Sequence, residues 1–108
     1  MINSSIINEL GEDIFRQALK IFLRNCEADM KNLNIAFNTL NYKEVNALSH
    51  KLIGTFGSIR VEEIPELLRS INGSSSDLKL DIETFEKVKT KYCDLKTYIK
   101  DNFSIETE

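Results

Sequence analysis

Proline and glycine are scarce, with one proline and four glycines among 108 residues. So few breakpoints exclude a fold of many short strands and point to long helices. Histidine is scarcer still, and His50 is the only one. A lone imidazole and two cysteines far apart in sequence, Cys26 and Cys93, do not make a metal site. No cofactor is therefore expected on the chain itself. The opening Met1-Ile2-Asn3-Ser4-Ser5 lacks the basic start and apolar run of a signal peptide. Both cysteines are then expected to be reduced, buried thiols in a cytoplasmic protein. No segment approaches the roughly 20 consecutive apolar residues of a membrane span, which argues against a membrane partner. A basic excess is also missing. A net charge of −3 argues against nucleic acid, whose phosphates call for a basic face.

What is present is helical periodicity. The composition, 42% hydrophobic and 29% charged, suits one small domain with a single core. Ser4 or Ser5 is placed to cap a short first helix, Ile6 to Leu10, which Gly11 breaks. A long helix is predicted from Glu12 or Asp13, with Phe15, Leu19, Phe22, Cys26, Met30, Leu33, Phe37 and Leu40 spaced by threes and fours. Ile14, Ile21, Leu23 and Ile35 widen that stripe and offer surface to the first helix or to a partner. Arg16, Lys20, Arg24, Glu27 and Lys31 fall largely on the other side. Asn41 is a plausible cap for a third helix, from Tyr42 or Lys43 to about Ser58, with core residues Val45, Leu48, Leu52, Phe56 and Ile59. Pro65 belongs in a first turn, so a fourth helix is expected from Glu62 to Ile64 onward, ending near Asn72-Gly73. It packs through Ile64, Leu67, Leu68 and Ile71. Gly73 to Asp77 reads as a flexible loop. A last helix from about Asp81 carries Ile82, Phe85, Val88, Tyr92, Leu95, Ile99 and Phe103, and residues from Ser104 onward are expected to fray. The expected fold is all-α, an antiparallel four-helix bundle with a short additional N-terminal helix. Met1 and the polar tail favour a free protein over a piece of a larger kinase.

His50 stands out within the third helix. At about 100° per residue it falls roughly 160° from the centre of the core stripe. Lys43, Gly54 and Gly57 lie within about 40° of it, and Asn46 and Ala47 flank that face. Helical phase therefore argues against a core histidine. An ordinary surface histidine is the alternative, and the glycines weigh against it, since each costs a helix interior up to about 1 kcal/mol relative to alanine. Open space beside the imidazole is one reason to keep them; the alternatives are a helix end at Gly57 and close packing of another helix at Gly54, although Gly54 points away from the core stripe. A solvent-exposed imidazole is mostly neutral at pH 7, which leaves one ring nitrogen free as a nucleophile. A convex helix face supplies no oxyanion hole or water-excluding cleft. Paired acid–base groups are missing too, so an independent metabolic enzyme is disfavoured and catalytic power must come from another molecule.

The stretch His50-Lys51-Leu52-Ile53-Gly54-Thr55-Phe56-Gly57-Ser58-Ile59 resembles the core motif of histidine-containing phosphotransfer (HPt) domains. That motif runs histidine, any residue, leucine, lysine, glycine, then small residues, an aliphatic residue and glycine. His50, Leu52, Gly54, Thr55, Gly57, Ser58 and Ile59 fit it, and the helix order extends the likeness over most of the chain. Two positions depart: Ile53 stands where the family has a lysine that pairs with phosphoryl oxygens, and Arg60 where it has a glycine. The resemblance implies a phosphorelay intermediate. His50 would take a phosphoryl group from a receiver-domain aspartate and pass it to another, with Mg²⁺ on the receiver. Response-regulator receiver domains are the implied partners, and a hybrid histidine kinase a further candidate. Lys51, Lys43, Gly54, Gly57 and Asn72 would surround the phosphoryl site, with Asn72 near where some members hold the histidine through an amide. Ile53, Asn46, Ile14 and Ile21 would offer docking contacts. The missing lysine motivates an alternative, an HPt-like module that binds a receiver or kinase domain without efficient transfer. A helical scaffold unrelated to phosphate leaves the outward glycines unexplained.

Overall fold

The computed structural model describes Ile2 and residues 5–105. Ser4 as a cap, and the fraying expected of residues 106–108, lie outside the described residues. Among the described residues every regular element is helical: α1 (Ser5–Leu10), α2 (Glu12–Asn38), α3 (Tyr42–Ser58), α4 (Glu63–Ser76) and α5 (Ile82–Phe103). Gly11 separates α1 from α2 with a φ of 82°, a left-handed conformation that glycine adopts at little cost. Asn41 caps α3, its side chain accepting a hydrogen bond from the Glu44 N–H at 3.1 Å. Asp81 caps α5 in the same way through the Thr84 N–H, at 3.1 Å.

The 27 residues of α2 run about 40 Å at 1.5 Å each, close to the molecule's longest dimension of 42 Å. α1 and α3 pack against α2, α4 against α3, and α5 against α4. Phe15 meets Phe103 edge to face at 5.4 Å, while Phe37 stacks on Phe85 at 4.2 Å, so α2 and α5 run in opposite directions. Phe56 of α3 sits between Phe22 of α2 at 5.5 Å and Tyr92 of α5 at 6.0 Å. These rings belong to one continuous hydrophobic core. Val45, Leu48, Leu52, Phe56 and Ile59 are all buried in it, as their spacing predicts.

Several expectations are corrected. α4 does not stop at Gly73 but continues to Ser76, so the expected flexible loop is the last turn of a helix, and Ser75 is buried. The Asn46 amide donates to Ser75 Oγ at 3.1 Å and Ser76 Oγ at 2.9 Å, and these bonds to α3 offset the cost of glycine in the helix. The stop comes instead at Leu78, with φ 58°. Leu78 N–H donates to Ser75 O at 3.1 Å and Lys79 N–H to Ser74 O at 2.9 Å, the paired bonds of a Schellman cap. α2 and α3 end likewise, with Leu40 (φ 54°) and Arg60 (φ 57°) in the left-handed position. Leu40 and Ile82 are exposed rather than in the core, because one lies in that cap and the other is the first residue of α5. Ile14, Ile21 and Ile35 are exposed, and Leu23 is half-buried against the core. Cys26 is buried but Cys93 is exposed, since it falls off the α5 core stripe. At the end of α5, Ser104 turns left-handed (φ 54°) and sends Ile105 back into the core, so these two residues do not read as a loose tail. An isolated bridge between Ile2 and Val61 ties the start of the chain to the α3–α4 joint. No helix among the described residues is long and apolar enough to cross a membrane.

Candidate functional site

α3 is held on both flanks, and its outer face is left open. With its core stripe buried, the opposite side presents Lys43, His50, Gly54 and Gly57, all exposed. A methyl group added at Gly54 or at Gly57 would meet no atom within 4 Å. Neither glycine therefore serves close packing among the described residues, so another helix is not the reason for Gly54, whereas Gly57 does fall in the last turn of α3. The open space lies along the same face as the imidazole.

On the α4 side the histidine-bearing turn is clamped by amides. Asn72 Nδ2 donates to the Asn46 carbonyl at 3.0 Å and to Ser49 Oγ at 3.1 Å. Ser49 Oγ donates to the same carbonyl at 3.1 Å, and Asn46 Nδ2 returns a bond to the Asn72 carbonyl at 3.3 Å. In helix geometry the Asn46 carbonyl is the one that receives the His50 N–H. Asn72 thus fixes the backbone turn that carries His50, and its amide is not bonded to the ring. Asn46 is spent on this clamp rather than displayed to a partner. Ile53 is half-buried and packs against the core on this flank, so only part of it borders the open face.

On the α2 side Lys51 reaches across to Asp29, Nζ to Oδ1 at 3.1 Å. Asp29 is buried, and its Oδ2 has no hydrogen-bond partner among the described residues. Lys51 is therefore tied to α2, while Lys43, on the histidine's own face, stands clear. A groove of about 590 Å³ runs along this flank, lined by Ile21, Asn25, Asp29, Lys51, Thr55 and Ser58 among others. Ile14 and Ile21 lie on the neighbouring surface of α2 with more than half of each side chain exposed, 61% and 57%. The structure thus brings His50, Lys43, Gly54 and Gly57 onto one face and sets Lys51 and Ile21 beside it. Asn46 and Asn72 lie beneath it.

Asp29, Ser49 and Ser75 are site-supporting residues not anticipated from the sequence. Each is polar at an apolar phase of its helix: Asp29 between Cys26 and Leu33, Ser49 between Val45 and Leu52, Ser75 four residues after Ile71. That misfit is the signal that could have found them. Deeper still, burial pushes the Cys26 thiol up to about 12, with Asp29 adding to the effect, so it is inert as a nucleophile. Among the described residues no three of His, Cys, Asp or Glu cluster as a metal site. No protein-family model, curated protein or solved structure matches the chain.

Proposed function

We propose that the chain is a single HPt domain, in which α2 to α5 form an antiparallel four-helix bundle with α1 as the short additional helix. His50 carries the phosphoryl group. In this reading Nε2 of the neutral imidazole attacks the phosphorus of an aspartyl phosphate on a receiver domain. The P–O bond to the aspartate breaks, the P–N bond forms, and the aspartate leaves as a carboxylate while Nδ1 keeps its proton. The reverse geometry delivers the group to a second receiver. The receiver brings Mg²⁺ and the acidic pocket; this chain brings a positioned nucleophile and a docking face, in the cytoplasm.

The observation that carries the proposal is the outward imidazole with Gly54 and Gly57 opening onto empty space beside it. Gly54 weakens the interior of α3 without any packing use among the described residues, a use that an approaching phosphoryl group and receiver loops supply. The test is uptake of label from a phosphorylated receiver by wild type and His50→Gln. Acid-labile label on the wild type alone supports the proposal, and equal uptake by both refutes it.

A second reading is a receiver-binding module with weak transfer. Ile53 replaces the expected lysine, and the nearby Lys51 ammonium is engaged by Asp29 at 3.1 Å, which leaves Lys43 as the cation on the imidazole's face. Receiver binding that survives His50→Ala, with no phosphohistidine formed, selects this reading.

A further inference from the structure

The face of α2 that turns away from α3 carries a different chemistry. A groove of about 690 Å³ runs between α2 and the end of α5, and Arg16, Lys20, Arg24, Lys31 and Lys96 line it. This is a concentration of positive charge in a chain of net charge −3. Among the described residues of the lining the one carboxylate, Glu27, is engaged, accepting from Tyr92 Oη at 2.6 Å and pairing with Lys96 at 3.4 Å. Arg16 donates to the Phe103 carbonyl at the end of α5. Lys20, Arg24 and Lys31 have no hydrogen bond or ion pair among the described residues. Leu23, Ala28 and Ile105 give the groove an apolar floor.

We infer that this groove docks an extended acidic segment of a partner protein, received by the cation row of α2. Arg16, Lys20 and Arg24 follow one another at four-residue steps, about 6 Å apart along the axis. Same-face side chains of an extended peptide recur at nearly the same interval, about 6.6 Å. The row from Arg16 to Lys31 is about 22 Å long, which suits carboxylates spread along a segment. A compact phosphate would need donors converging on one point. Among the described residues no aromatic side chain lines the groove, so a nucleic acid would find no ring on which to stack its bases. The groove and the imidazole face lie on different flanks of α2, so this inference does not rest on phosphotransfer at His50.

The test is fluorescence anisotropy of a labelled peptide of alternating glutamate and serine with the full chain. Binding should weaken steeply with added salt, because exposed charges are screened beyond about 8–10 Å at physiological ionic strength. The double variant Lys20→Glu/Arg24→Glu should lose about tenfold or more in affinity. Lys79→Glu/Lys87→Glu changes the net charge equally but lies outside the groove, and should bind as wild type does. Both pairs are exposed, and far-ultraviolet circular dichroism checks that α-helix content is kept. Three results overturn the inference: no binding, equal losses in the two double variants, or tighter binding of inorganic polyphosphate or a single-stranded oligonucleotide than of the peptide.

Discussion

If His50 carries the phosphoryl group as proposed, stability and function pull in opposite directions at Gly54. Its added methyl meets nothing, so Gly54→Ala should stabilise α3 by up to about 1 kcal/mol. The melting temperature should rise by about 4 °C in a domain of this size. Phosphoryl transfer should slow in the same variant, because the methyl enters the space beside His50. A more stable variant with unchanged transfer would show that the space is not used. Ile53→Lys should speed transfer, since it places an ammonium three residues from His50 on the rim of the same face. The two thiols offer an independent check at this scale. Cys93 is exposed and Cys26 is buried with its thiol pushed up to about 12. A thiol-specific reagent should modify Cys93 alone in the native chain and reach Cys26 only on unfolding.

Helix ends decide how well each element is held. Hydrogen bonds from Thr84, side chain first and backbone second, hold the Asp81 carboxyl below its ordinary value of 3.8. The carboxyl is more acidic folded than unfolded, so its contribution is complete above that ordinary value and is lost as pH falls through the folded one. Asp81→Ala should cost α5 about 1 kcal/mol at neutral pH. The gap to wild type should close in acid, as read by denaturant titrations at neutral and strongly acidic pH. Leu78→Gly should act the other way. Leu78 is 70% exposed at φ 58°, so little packing is lost and about 1 kcal/mol of backbone strain is relieved. These ends also mark where the sequence was legible. Asn41 could be read as a cap, because a capping side chain acts on the N–H three residues ahead and the pattern is local, and α5 could be read as starting near Asp81. The end of α4 could not. Gly73 looks like a stop, but bonds between Asn46 and the Ser75 and Ser76 hydroxyls hold the next turn, and that pairing spans about 30 residues. Asn72 was legible only in part, for the same reason. Its position near the histidine was foreseeable, but whether its amide bonds the ring or the backbone depends on how α3 and α4 meet.

For the whole molecule, Phe56 ties three elements together, touching rings from α2 and α5 from its place on α3. Phe56→Ala should remove about 3–5 kcal/mol. That is a large part of the 5–15 kcal/mol typical of a small domain, so the variant should be partly unfolded at physiological temperature by circular dichroism. The same packing explains why a core of so few residues can present two unlike surfaces. α2 shows Ile14 and Ile21 toward the α3 side and a row of cations toward α5, while the histidine stands beyond the first of these. The central claim concerns this whole molecule meeting a receiver. Its most direct measurement is site assignment of the phosphoryl group by phosphorus NMR and mass spectrometry, kept at alkaline pH, after incubation with a phosphorylated receiver. The account predicts one phosphoryl group on His50, bonded through Nε2. Label on any other residue, or none on an intact and folded chain, would contradict it.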